Sequence, residues 1–296
     1  MKILHLDCGR EMRGGQWQVL RLHQSLLEAG QESFLLARED GPLLDLARDR
    51  DLPCEALRPL RLLIRSRSVD LVHAHDARSH ASAALLSRTP LVVSRRVAFP
   101  IRTSAPSRWK YRRARWYLAV SRYVAAILVA GGIDSGRIDV VYDGVELPAD
   151  AAAGETIITP YTVDPAKGMA LAKQAAALAG LTLILSKNPG ADLATARAMV
   201  YLTQSEGLGS AILLAMAYGV TVIATRTGGI PELIEDGTNG LLVQNEPGSV
   251  ADALLRLNPQ LCAAIGRAAR ETVEKKFTVS HMVKRTLESY QKALND

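Results

Sequence analysis

Short apolar, β-rich runs alternate with stretches of helical period along the first half of the chain. Residues 3–6, 33–36, 71–73, 91–94, 117–120 and 138–141 read as strands, and residues 16–29 put Val19, Leu22 and Leu26 on one helical face. Strand-length runs separated by helices predict a parallel sheet with crossover helices. Residues 143–155 carry turn signals and then small residues without a period, and read as a linker. The alternation then restarts with strand 156–159, helix 169–179, strand 181–185, short helix 191–198, strand 199–202, helix 210–218 and strands 221–224 and 241–243. Two consecutive α/β sheets follow from this order. Beyond Gly248 the pattern is helical, with Leu254, Leu257, Ile265 and Val273 as core contacts.

A chain of 296 residues fits two domains, and 48% hydrophobic with 22% charged residues excludes a mostly disordered protein. No apolar run approaches the ~18 residues needed to span a bilayer. Met1-Lys2-Ile3-Leu4 leads straight into a strand rather than a signal peptide, so a cytosolic protein is expected. Cys8, Cys54 and Cys262 lie far apart, which indicates neither a disulfide framework nor a structural zinc site.

Charge divides the chain unevenly. Residues 1–150 carry 23 basic against 17 acidic side chains, while 151–296 carry 13 of each. No acidic residue falls between Asp76 and Asp134, where Arg95, Arg96, Arg102, Arg108, Lys110, Arg112 and Arg113 stand among Phe99, Trp109, Tyr111, Trp116 and Tyr117. With residues 105–115 as a helix, arginines cover several faces and the aromatics suit a polar–apolar boundary. Three readings stand open: a solvated helix with some buried arginine, a patch for a membrane surface or lipid phosphate, and nucleic acid. No nucleic-acid motif accompanies the stretch.

Three places hold candidate chemistry. Gly14-Gly15 precedes a helix, where glycines let backbone approach a ligand and helix amides hold an anion, although packing alone explains such a turn equally well. Asp70-Leu-Val-His-Ala-His-Asp76 is a strand whose two histidines share a face, with His75 nearer the carboxyl end. The pair could serve a metal, but no further ligand is evident, and a structural role is the alternative for both. Ser205-Glu-Gly-Leu-Gly-Ser-Ala-Ile-Leu-Leu-Ala-Met-Ala-Tyr-Gly219 runs from a strand through Glu206 and two glycines into a helix. That is a diphosphate cradle with a carboxylate beside it.

The stretch 206–243 resembles the retaining family-4 (group 1) glycosyltransferases of the GT-B fold, in their pattern E-G-F-G-x-x-x-x-E-A-M-A-x-G followed by G-G-x-P-E and D-G-x-x-G-x-L-V. The Gly-Gly loop, the His-x-His strand and Val141-Tyr-Asp-Gly-Val145, usually V-x-N-G-V, match in order, so the resemblance covers nearly the whole chain. It implies an α/β protein with two Rossmann-like domains whose parallel sheets face across a cleft. An acceptor domain spans 1–148, a donor domain 149–279, and a helix 280–296 crosses back to the first, burying Met282, Leu287 and Leu294.

The resemblance further implies a nucleotide-sugar donor and transfer with retention. Lys167 would neutralise the donor diphosphate, Glu206 would bind the donor sugar, and the amides of Gly207, Leu208, Gly209 and Ser210 would hold phosphate. His75 would orient the sugar, and Gly14 and Gly15 would touch phosphate or acceptor. A lysine can stabilise charge on the leaving group, so neither metal nor cofactor is expected. Many relatives use lipid-linked acceptors. This favours a glycan or lipid-linked acceptor of cell-envelope polysaccharide biosynthesis, with the basic stretch touching an anionic membrane from the cytoplasmic side and no nucleic acid partner.

Three departures stand out. Leu214 occupies the place of the family's second glutamate, beside the ribose; Thr162 replaces its arginine; and too few residues separate 185 from 206 for the usual extra strand-helix unit. The second domain is thus expected to be reduced. Leu214 and Thr162 motivate an alternative, a GT-B protein that binds nucleotide or glycan without turnover.

Overall fold

The computed structural model describes residues 1–152 and 154–295, and the chain forms two compact units. The first joins Met1–Asp143 to the last helix, Val279–Asn295; the second is Gly144–Thr278. Of the segment expected to be a linker, Ala153 lies outside the described residues, as does Asp296 of the stretch expected as the last helix. The turn after Asp143 belongs to the second unit because Val145 N–H donates to Phe277 O at 2.9 Å and Arg270 donates to Pro148 O at 2.6 Å.

Seven parallel strands build the first unit: β1 (Lys2–Asp7), β2 (Glu32–Ala37), β3 (Cys54–Ala56), β4 (Leu71–Ala74), β5 (Leu91–Arg95), β6 (Trp116–Ala119) and β7 (Ile138–Val140), in the order β3-β2-β1-β4-β5-β6-β7. Inner strands covered on both faces read as unbroken apolar runs, which is why β1 and β4 were legible. The three-residue edge strand β3 has no such run and was missed. Helix Val279–Asn295 buries Met282, Val283, Thr286, Tyr290 and Ala293 on one stripe against Ile3, Leu22, Leu71 and Trp116 of this unit. Lys292 adds an ion pair to Asp139 at 2.7 Å.

The second unit has five parallel strands: β8 (Thr156–Pro160), β9 (Ile184–Ser186), β10 (Ala196–Tyr201), β11 (Thr221–Thr225) and β12 (Leu241–Val243), ordered β12-β11-β10-β8-β9. The short helix expected over 191–198 lies earlier, as a single α-helical turn Pro189–Asp192 followed by a 3₁₀ turn to Thr195, because Ala196 and Ala198 are buried in β10. Alanine favours helix, but pairing with β8 and β11 decides otherwise. Among the described residues no helix is long and apolar enough to cross a membrane.

Candidate active site

In the second unit the chain runs outward from β8 to β9 and returns to β10 on the other side of β8. Such a reversal opens a crevice at the carboxyl ends of the two strands. Lys167 follows β8 and Glu206 follows β10, so the topology brings them to one place. Lys167 Nζ lies 2.7 Å from Glu206 Oε2, with the side chains 36% and 17% exposed. Tyr201 at the end of β10 donates its hydroxyl to the same oxygen at 2.6 Å, and Gly207 N–H donates to Oε1 at 3.2 Å. Burial and the Glu206 carboxylate push the Tyr201 phenol well above its usual range, so it stays a donor. Tyr201 escaped the sequence reading; its only signal is its position at the end of the strand that precedes Glu206.

Backbone contacts lock these loops together. Gln204 N–H donates to Ala166 O at 2.9 Å, and Gly229 N–H donates to Glu206 O at 3.1 Å. Gly228 has φ +56°, and a Cβ there would lie 2.0 Å from Glu206 O. Gly228→Ala should therefore cost at least about 2 kcal/mol from left-handed strain plus the backbone clash. Denaturant unfolding would check this, and a change under ~0.5 kcal/mol, as at an ordinary surface site, would contradict it. Gly207, Leu208 and Gly209 are buried and Ser210 is half-buried where helix Ser210–Ala217 begins. Leu208 as a whole is only 2% exposed, so its side chain is packed inside the unit and offers a ligand no surface. Leu214 is half-buried on that helix, and Thr162 accepts Asp164 N–H at 3.1 Å within a turn.

The first sheet reverses between β1 and β4 in the same way. Cys8 N–H donates to Asp76 Oδ2 at 2.6 Å, while Asp76 Oδ1 caps helix Ala77–Leu86 by accepting from Arg78 N–H and Ser79 N–H. Buried Asp7 accepts from Gly9 N–H at 2.7 Å and from Gln16 at 3.1 Å. Burial and the nearby Asp76 charge push its carboxyl up to about 6. Gly14 and Gly15 are the first residues of helix Gly14–Glu28. A Cβ on Gly15 would meet only Arg96 Cδ at 3.7 Å, an ordinary contact. Packing within the protein does not demand glycine at that position.

His73 and His75 do share a face, with ring centroids 3.9 Å apart. A further group not evident from the sequence joins them: β1 pairs with β4 so that His5 lies opposite His73, and ligating atoms of His5, His73 and His75 fall within 4.8 Å of one another. Five of their six ring nitrogens already have protein partners. His73 Nδ1 meets Tyr290 Oη at 2.6 Å and Nε2 meets Ser94 Oγ at 2.8 Å. His75 Nε2 meets His5 Nδ1 at 2.9 Å, and its Nδ1 meets Arg96 at 3.4 Å. With a guanidinium against one member, the set reads as a hydrogen-bonded chain rather than a cation site.

The basic stretch is partly internal. Arg96 is not a surface residue as expected but is 16% exposed and paired with Asp143 at 3.1 Å. Arg95 donates to Tyr111 Oη at 2.8 Å and to Phe99 O, and Arg113 donates to Ala84 O and Ser87 O. Tyr111, Trp116 and Tyr117 are buried in the unit rather than at a boundary. Helix Ala105–Arg113 and its approach leave Arg102, Arg108, Arg112, Arg113, Phe99 and Trp109 exposed, while Lys110 is half-buried.

The family described as "Glycosyltransferase Family 4" matches residues 12–148, and "Glycosyl transferases group 1" matches 183–258. The chain belongs to these glycosyltransferases. Its fold is GT-B, as in the crystal structure of Anabaena HepE in complex with UDP and glucose: TM-score 0.85 at 17% identity, covering 99% of this chain and 100% of that one. The lipopolysaccharide outer core galactosyltransferase WaaB also shares the fold, with TM-score 0.72 at 16% identity over 99% of both chains. N-acetyl-alpha-D-glucosaminyl L-malate synthase of Bacillus anthracis is 36% identical over 107 residues, which is 35% of this chain and 28% of that protein. The match thus spans less than a third of that relative's length.

Proposed function

We propose that this protein is a retaining glycosyltransferase that moves a sugar from a nucleotide-diphosphate sugar to a glycan or lipid-linked acceptor of the cell envelope. The observation that carries this reading is Lys167 beside Glu206 in the crevice between β8 and β10, next to the start of helix Ser210–Ala217. Lys167 and the helix amides take the charge that develops on the departing diphosphate, and Glu206 holds the donor sugar. His75 orients the sugar. Counter-charge from the chain itself leaves no step that needs a metal or cofactor. HepE crystallised with UDP and glucose and the lipopolysaccharide outer core galactosyltransferase WaaB support the donor and acceptor classes.

Leu214 and Thr162 favour a second reading, binding of nucleotide or glycan without turnover, because a leucine cannot accept hydrogen bonds from ribose hydroxyls. A panel of UDP-, GDP- and ADP-sugars with a glycan acceptor decides between them. Sugar release or transfer from one donor supports the enzyme; tight binding with no product supports the binder.

The acceptor reading includes a cytoplasmic protein held peripherally at an anionic membrane through Arg102, Arg108 and Arg112, with Phe99 and Trp109 exposed in the same stretch. Each cation at such a surface contributes about 1 kcal/mol. The double variant Arg108→Glu, Arg112→Glu should then lose at least about tenfold in co-sedimentation with phosphatidylserine vesicles. Equal binding of both proteins would remove the membrane from the reading.

A further inference from the structure

Arg96 was grouped by sequence with an exposed basic patch, yet its guanidinium lies inside the first unit between Asp143 and His75. Its Nε donates to Asp143 Oδ1 at 3.1 Å, and one of its terminal nitrogens lies 3.4 Å from His75 Nδ1. Asp143 is 4% exposed in its side chain, so this pair is shielded from the solvent that makes surface pairs loose. The two residues come from the ends of β5 and β7, 47 positions apart in sequence. Where the family pattern usually has asparagine, this chain has the carboxylate that Arg96 requires.

A guanidinium can only donate. His75 Nδ1, which faces it, must therefore be the acceptor, and the imidazole proton must sit on Nε2. Nε2 then donates to His5 Nδ1 at 2.9 Å, which puts the His5 proton on its own Nε2. The opposite direction, His5 donating to His75, would set the His75 Nδ1–H against an Arg96 N–H, two donors with no acceptor between them. Hydroxyls of Tyr290 and Ser94 meet His73, and because a hydroxyl serves either role they impose no direction. Among the side chains that meet these three rings, Arg96 is the one whose role is fixed by its chemistry.

We propose that Arg96, held by Asp143, is a positioning residue that sets His75 as the neutral Nε2–H tautomer and keeps its Nδ1 as an acceptor. That acceptor is what a sugar hydroxyl would use in place of the guanidinium. The catalytic part of this inference rests on the placing of His75 at the transfer point; the tautomer does not. Burial, then His73 and His5, and then Arg96 hold the His75 pKa well below its usual value, in keeping with a neutral ring.

The test is ¹⁵N–¹H long-range correlation of the histidine rings in the full chain at neutral pH, with His75 assigned by its loss in His75→Asn. The wild-type protein is expected to show His75 protonated at Nε2 alone, and a proton on Nδ1 there overturns the proposal whether or not any variant folds. Arg96→Met should mix the tautomers, and Arg96→Lys, which keeps a donor, should restore the Nε2–H form. Asp143→Asn should shift the population the same way as Arg96→Met, but less. An unchanged His75 spectrum in folded Arg96→Met overturns the proposal. With a donor identified, Arg96→Met should lower kcat by about tenfold at unchanged donor KM. Altered tautomers with full kcat would uphold the role of Arg96 and instead remove His75 from the transfer point.

Discussion

Acidification from pH 7 towards pH 4 is expected to unfold the first unit while the second stays folded. All six histidines lie outside residues 144–278, in the first unit. Burial is the leading cause of depression for five of them: His5, His73 and His75 lie well below the usual 6.5, His23 falls to about 4 and His80 to about 3. Lowered folded-state values mean that the unfolded chain binds more protons once the pH drops below 6.5, so stability falls as pH falls. Each such histidine contributes up to about 1.4 kcal/mol per pH unit, and five together up to about 7. Asp7 works in the opposite sense: with its folded value raised to about 6, it adds stability as pH falls from there towards 3.8. One group does not offset five. A domain of ordinary stability, about 5–15 kcal/mol, would be exhausted roughly one to two pH units below 6.5. Tryptophan fluorescence reads the transition cleanly, because Trp17, Trp109 and Trp116 are all in the first unit and Trp116 is buried. A Trp116 signal still native at pH 4 would contradict the expectation.

What the sequence made legible depends on whether the signal is local. The inner strands announce themselves because burial on both faces demands continuous apolar residues, and the Glu206 loop because glycine is required where Gly228 meets Glu206 O. The histidine chain was invisible in part because His5 reaches His73 only through the register of β1 on β4. Arg96 looked like its exposed neighbours because its partner Asp143 comes from a distant strand end. Tyr111, Trp116 and Tyr117 suggested an amphipathic edge, but strand β6 carries two of them into the interior. In each case the missing information was the order of the strands across the sheet.

Replacing Lys167 or Glu206 by alanine should separate function from stability. The pair is partly exposed, and pairs of that kind contribute about 1 kcal/mol or less to folding. Removing Lys167 leaves Glu206 with the Tyr201 hydroxyl and Gly207 N–H; removing Glu206 leaves an ammonium that water can reach. Both variants should therefore fold. Turnover should behave otherwise, since loss of one preorganised group that stabilises transition-state charge costs about 2.7–4 kcal/mol, or 10²–10³ in kcat. On the proposed reading, Lys167→Ala removes the cation that meets the leaving diphosphate; Glu206→Ala removes the sugar contact and also releases Lys167 from its 2.7 Å partner. Because the second change disturbs the first group, the double variant should lose much less than the product of the single losses. Rates of all three with a donor found in the sugar-nucleotide panel, beside their unfolding curves, provide the measurement. Both single variants working within threefold of the wild type would mean that the crevice between β8 and β10 holds something other than the reacting donor.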